Sequence, residues 1–412
     1  MLNILMGGVP LVIIAYFCYF RKEHNSNNIL VVLIFMSYMV FATNYQNYGL
    51  NFDLFRYMHK FIGIILSLSL IYYLFQNGLK VLNNPITFLL LFFLGSIFLS
   101  YINNDIYLSH YIHYVRNFIF ISIITLYAFF KIRTNKDLDE LFHLIVNITL
   151  ILSFFVIVEL IIRGNITRAF LFYPNPNYLA LTLMFGFSIL LFLDTKFKSF
   201  KVGLVLLAIY FTESRAVEVG VLILILIYIF KNRTLINSKF LILGCILLVI
   251  IGSIYFDKLP SKHDIRSVRI GLAQVSINAF NENMINGIGY GQFRTNFYKY
   301  VDDDVIALNY QLINTRAVTK EEVMTHSDLW KIVAELGLFG IAFLLFYFYK
   351  LYFELKKLIL YNRDYFYISI SLIIGSLTFS MVHNNITSFV FWFILFLPFI
   401  MNGIYNKERS KI

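Results

Sequence analysis

The histidine in "MTHSDLWKIVAELGLFG", Met324 to Gly340, is the residue of this chain best suited by type and setting to move a proton. Thr325 followed by Asp328 fits a capping box, with Asp in the place more often filled by Glu or Gln. On that pattern Thr325 caps a helix and His326 is its first residue. A helix N-terminus carries partial positive charge, which disfavours an imidazolium at His326 and favours an anion nearby, such as a phosphate. A neutral base beside an anion site suits transfer of a phosphate-activated group. At 100° per residue, Gly337 lies about 20° from His326 around such a helix and Gly340 about 40° away on the other side. One face then carries the histidine at its mouth and two glycines below it, where another helix can approach closely. Asp328, Lys331 and Glu335 fall on the far face, and the last two are spaced to pair. The plainer alternative is an interfacial histidine that only caps a helix, with glycines that serve packing alone.

The elements that hold this stretch follow from composition. The chain of 412 residues is 59% hydrophobic and only 14% charged, whereas a soluble globular domain has roughly 25% charged residues. Apolar runs of about 15 to 22 residues recur from end to end, the length a bilayer core requires of a helix. The expected fold is an all-α polytopic membrane protein with about 12 to 13 transmembrane helices. The first apolar run, Leu2 to Phe20, lacks a basic leader and a small-residue cleavage site, so no cleavable signal peptide is expected. The net charge of +11 resides mostly in short loops between apolar runs, which is a topology signal and not a nucleic-acid groove. Cys18 and Cys245 lie inside apolar runs and suggest neither a disulfide framework nor a metal site.

The charge pattern also gives an orientation. The loops at 21–28, 76–85, 131–140, 194–201, 231–239 and 350–365 and the tail 402–412 hold about nineteen of the 34 Lys and Arg. The short loops on the other side hold only a handful, so the first set and the C-terminus are expected in the cytoplasm. Val202 to Phe230 forms one apolar run interrupted by "TESR", Thr212 to Arg215. A single helix of that length would reach ~43 Å and would leave basic loops on opposite sides. Two short helices that meet at "TESR" keep both loops inside and hold Ser214 and Arg215 at or below the outer face. Three regions are therefore expected: transmembrane helices over 1–255, a large outer loop over 256–328, and further transmembrane helices with the tail over 329–412. Within the loop, "NGIGYGQF" reads as a Gly-rich turn, and no βαβ context makes it a dinucleotide site. The acidic run Asp302 to Asp304 reads as solvated, and neither a metal nor a cofactor is expected.

The stretch from His326 fits a pattern of histidine, then Asn, Ser or Gln, nine residues, Gly, two residues and a small residue. That pattern resembles the O-antigen ligase and O-antigen polymerase superfamily of bacterial envelope glycosyltransferases. Other pieces agree in order: "YPNPNYLA" with Asn177, "TESRAVEVG" with Arg215, "RSVRIGLAQVSINAF" with Arg266 and Arg269, and "GIGYGQF" with Tyr290. The resemblance covers roughly Pro174 to Leu345. It implies a donor glycan on undecaprenyl pyrophosphate, presented at the outer leaflet, and metal-independent inversion at the anomeric carbon. By position, Arg215 and Arg269 would neutralise the leaving pyrophosphate and His326 would assist the acceptor hydroxyl. Arg266 would be a second phosphate ligand. Asn177, which on its own residues reads as a helix start after two prolines, and Tyr290 would be substrate contacts. The implied partners are the lipid-linked oligosaccharide, membrane lipid, and assembly proteins such as a chain-length regulator or flippase. "THSDLW" and "GIGYGQF" lean toward the polymerase versions, with a ligase as the alternative. A flippase or transporter is the rival of another class, but no inverted repeat supports it.

Overall fold

The computed structural model describes residues 64, 67–102, 107–163, 169, 171, 175–232, 263–303, 305 and 323–409. The first crossing, both cysteines and most of the 231–239 loop lie outside the described residues. Helices follow one another throughout: α1 (Pro85–Leu99), α2 (Leu108–Lys131), α3 (Asn135–Arg163), α4 (Pro176–Phe192), α5 (Lys198–Phe211), α6 (Arg215–Lys231) and α7 (His263–Glu282). After the short α8 (Phe293–Asn296) come α9 (Asp328–Tyr361), α10 (Arg363–Ser380) and α11 (Phe389–Arg409). Among the described residues there is no strand. The chain is an all-α, multi-pass membrane protein. Among the described residues four helices, α2, α3, α9 and α11, are long and apolar enough to span a bilayer, with α1 and α4 as shorter apolar helices.

Start signals in the sequence set several boundaries. Asn84 caps α1 by accepting from the Thr87 N–H, with Pro85 as the first helical residue, where its missing donor costs nothing. Asn175 and Pro176 repeat the device on α4, with Asn175 accepting from Asn177 N–H. Asn362 closes α9 and opens α10 by accepting from Asp364 N–H and Tyr365 N–H. The run Val202 to Phe230 forms two helices. α5 ends at Phe211, Glu213 takes a left-handed φ of 52°, and α6 starts at Arg215.

Alternating chain direction puts one set of termini together at the basic end. There Tyr365 Oη donates to Asp139 at 2.8 Å, Asn135 Nδ2 donates to Tyr361 Oη at 2.6 Å, and Lys231 pairs with Asp364. The opposite end, which the charge pattern assigns outside, gathers the starts of α2, α4, α6, α9 and α11 and the ends of α1, α3, α5 and α10. α11 is buried along most of its length and packs against α1, α2, α9 and α10. Its Trp392 meets Phe93 of α1 at 5.0 Å, Phe118 of α2 at 5.3 Å and Phe343 of α9 at 6.2 Å between ring centres. These tilted and edge-on pairs are geometries that aromatic quadrupoles favour.

α9 is two helices in series. Gly337 has φ 58° and ψ −142°, a conformation essentially closed to other residues, and it divides the element. The remaining stretch to Tyr361 is about 36 Å long, enough to cross a bilayer core with some tilt. Asp328 to Leu336 therefore forms a short helical mouthpiece above it. The spacing of residues places Gly337 on a continuous helix face; in the structure it is the break itself.

Candidate functional site

The break at Gly337 is where the segment preceding α9 docks. A broken helix leaves carbonyls and N–H groups without their intrahelical partners, which is costly away from water. Ile288 N–H donates to the Ala334 carbonyl at 2.9 Å and Gly289 N–H to the Glu335 carbonyl at 3.1 Å. In return Leu338 N–H donates to the Met284 carbonyl at 2.8 Å. The fit is backbone against backbone. A Cβ on Gly337 would lie 2.5 Å from Gly287 N, and one on Gly287 would lie 2.4 Å from the Glu335 carbonyl carbon. "GIGYGQF" and "ELGLFG" are thus two halves of one joint.

Charged side chains secure that joint. Glu335 is 1% exposed, and its carboxylate accepts from Gly291 N–H at 2.8 Å and Phe293 N–H at 3.1 Å. Lys331 lies 4.0 Å from the same carboxylate, with its ammonium 4.3 Å from the centre of the Tyr114 ring and 5.3 Å from that of Tyr290. The spacing-based pairing of Lys331 with Glu335 is present. Its setting is a protein interior, where the carboxylate also holds the Gly-rich turn.

Tyr290, expected as a substrate contact, lies in the interior of the bundle. It is 1% exposed, and its ring packs edge-on against Phe93 at 6.0 Å and Tyr114 at 5.7 Å. Its N–H donates to Ser100 Oγ at 3.1 Å. The side chain plugs the turn into the aromatic centre of the bundle and offers no face to a substrate. Tyr290→Phe is expected to be tolerated, with thermal stability and glycan transfer both close to the parent's. A loss of transfer at unchanged melting temperature would restore a substrate role for the phenol.

His326 also differs from expectation. The helix begins at Asp328 with Ser327 in the N-cap place, so His326 stands two residues before the first turn and not inside it. Its φ is 52°, a left-handed value that non-glycine residues seldom adopt. The Thr325 hydroxyl does not cap the helix. It lies 3.0 Å from both the Ser327 carbonyl and Asn384 Oδ1, and its one proton serves both. Asp328 fills no capping-box role either. Its carboxylate accepts from Asn385 N–H at 2.9 and 2.7 Å and from Ile386 N–H at 2.9 Å. The helix-dipole argument for a neutral ring therefore weakens, since His326 does not occupy the first turn.

The arginines and Asn177 lie on the elements expected. Arg215 is exposed at the first position of α6. Arg269 is half-buried on α7; burial first, and the like charge of Arg215 second, push its guanidinium below the usual range. The two cations are thus within electrostatic reach of each other. Among the described residues neither has a carboxylate partner. The Arg266 side chain lies outside the described residues. Leu272, one turn past Arg269, packs in the same apolar cluster as Val323, three residues before His326. Asn177 sits in the first turn of α4, half-buried, beside Tyr178, whose hydroxyl donates to the Asn384 carbonyl at 3.2 Å. That carbonyl belongs to the same Asn384 whose side chain receives Thr325. The starts of α4 and α9 are so joined through the turn at His383–Ile386. Sequence reasoning missed Asn384, Asn385 and the outward use of Asp328; "HNNITS" was the only local signal, as a polar turn between two apolar runs.

Residues 200–345 match the family model described as O-antigen ligase. That region is similar to the O-antigen ligase family. Comparison with curated proteins gives no match. The matched residues run from early in α5 to the upper part of α9, so the O-antigen ligase region takes in Arg215, Arg269, the Gly-rich turn, His326 and the helix break. A glycosyltransferase-like role in glycan assembly at a membrane, on a lipid-linked polysaccharide substrate, accords with that family.

Proposed function

We propose that the protein is an O-antigen polymerase-type glycosyltransferase that joins undecaprenyl-pyrophosphate-linked oligosaccharide repeat units at the outer face of a bacterial cytoplasmic membrane. The observation that carries this reading is the pair Arg215 and Arg269. The Arg215 charge lowers the Arg269 guanidinium further after burial, neither has an acidic partner among the described residues, and an added anion would stabilise both. A pyrophosphate presents oxygens to both forks at once. The acceptor hydroxyl oxygen attacks the anomeric carbon while the bond to the pyrophosphate oxygen breaks on the opposite side. His326 takes the hydroxyl proton, and undecaprenyl pyrophosphate departs with the electron pair, its charge met by the arginines. Arg266 and Asn177 remain proposed substrate contacts.

The ligase alternative, in which finished glycan moves to lipid A–core or another acceptor, draws support from the family description itself. A deletion strain separates the two readings. Single repeat units on the acceptor indicate a polymerase; an acceptor without glycan, together with lipid-linked polymer, indicates a ligase. Purified protein supplied with the lipid-linked oligosaccharide is expected to lengthen it, and His326→Ala and Arg269→Ala are expected to reduce that by about 100-fold or more. Unchanged product length with His326→Ala would sink the assignment of the base. Lengthening of donor already on the outer side would rule out simple transport.

A further inference from the structure

His326 is exposed, yet its neighbours Thr325 and Ser327 are only 5% and 3% exposed. A left-handed non-glycine residue between two buried ones is held there by its surroundings, because the conformation is disfavoured on its own. The holding contacts come from the turn between α10 and α11. Asn384 receives the Thr325 hydroxyl, while the N–H groups of Asn385 and Ile386 converge on Asp328. That turn is itself fixed from several directions. Tyr178 of α4 donates to the Asn384 carbonyl, Trp392 Nε1 of α11 donates to the Ile386 carbonyl at 2.7 Å, and the His383 ring stacks on Phe379 of α10 at 4.5 Å.

We propose that Thr325, Asn384 and Asp328 are positioning residues that mould the backbone around His326 and aim its ring outward. The inference rests on the reading of His326 as the proton acceptor. Asp328 joins the turn to the mouth of α9, and the Thr325–Asn384 bond fixes the chain on the other side of the histidine. Between these two ties, residues 326 and 327 have little freedom to relax into extended backbone. The ring direction is thus inherited from α4, α10 and α11, which are packed in the bundle, and not from the helix that His326 precedes.

The test compares Thr325→Val, which keeps the shape and removes the hydroxyl, with Thr325→Ser, which keeps the hydroxyl. Two readouts are taken on the full-length protein in detergent or membranes: steady-state lengthening of lipid-linked oligosaccharide, and the rate at which diethylpyrocarbonate modifies His326, followed by mass spectrometry. Thr325→Val is expected to lower kcat by about 10- to 100-fold with KM for the donor little changed, the scale of effect for a displaced catalytic group. Its His326 modification rate is expected to change by about fivefold or more, the population change that release from a left-handed conformation allows. Thr325→Ser should restore both. Parental kcat and parental modification in Thr325→Val would overturn the proposal, as would equal losses in Val and Ser. If Thr325→Val does not fold, Asp328→Asn decides the same point through the modification rate in membranes, because an amide presents a donor to the N–H groups of Asn385 and Ile386. A changed rate there supports the mould, and a parental rate overturns it. Full activity in His326→Ala would instead sink the assignment of His326 as the base, and the Thr325 modification rates in the parent background would still decide the mould.

Discussion

Glu335→Ala is expected to lower stability by about 3–5 kcal/mol, the usual result of removing one member of a buried ion pair. Three groups lose their partner at once. Lys331, 6% exposed, keeps its charge in an interior with the Tyr114 and Tyr290 ring faces nearby and only the more weakly coupled Asp328 carboxylate to offset it. The N–H groups of Gly291 and Phe293 lose their acceptor, and each unsatisfied donor adds about 1–3 kcal/mol unless the turn moves to water. The Gly-rich turn is therefore expected to detach from α9 before the bundle itself opens. Thermal unfolding of the solubilised protein measures the first effect, and protease cleavage within 284–300 measures the second. The double variant Lys331→Met with Glu335→Gln is expected to recover much of the loss, because a neutral pair removes the stranded cation. A single Glu335→Ala variant with parental melting and protease resistance would show that the pair is idle.

Gly337→Ala is the second large effect, expected at about 3 kcal/mol or more, through strain and overlap together. Its φ of 58° and ψ of −142° exclude an L side chain. A Cβ there would also meet Gly287 N and the Met284 carbonyl oxygen at 2.5 Å and the Ile285 carbonyl oxygen at 2.7 Å, all backbone atoms that cannot rotate aside. Alanine also favours a continuous helix, which would close the two carbonyls onto their own helix and expel residues 284–289. The expected protein still inserts but has a loosened outer segment and no glycan transfer, measured as protease sensitivity and product length. Retained activity with an intact outer segment would mean that the break is not required.

The sequence made the class of fold plain, because repeated apolar runs and loop-borne charge are properties of composition. It also made Gly337 stand out, but for the wrong reason: a glycine at helical spacing looks alike whether a helix approaches it or the chain breaks there. What decides is Met284 to Gly289, some fifty residues earlier, and no local pattern reports that contact. Glu335 reads locally as the partner of Lys331, which it is. Its bonds to Gly291 and Phe293 were invisible for the same reason of distance along the chain. The capping box at Thr325 fails because the helix starts later, at Asp328; the Thr325 hydroxyl donates to Asn384 Oδ1, and the Asp328 carboxylate is taken by the N–H groups of Asn385 and Ile386. Tyr290 enters through the resemblance as a substrate contact, whereas its ring neighbours Phe93 and Tyr114 lie on apolar helices far from it in the chain, which no local pattern reports. Arg215 and Arg269 are legible as motif positions, whereas the influence of the Arg215 charge on Arg269 appears only in the folded chain.

The break at Gly337 has a consequence for how the protein is made. Residues 284–293 leave the ribosome before α9 does, and the charge pattern sends them across the membrane first. The amides of Ile288 and Gly289 that complete Asp328 to Leu336 therefore precede it in synthesis. The α9 mouth is thus completed by residues 284–289 pairing with Ala334, Glu335 and Leu338 rather than by the helix's own next turn.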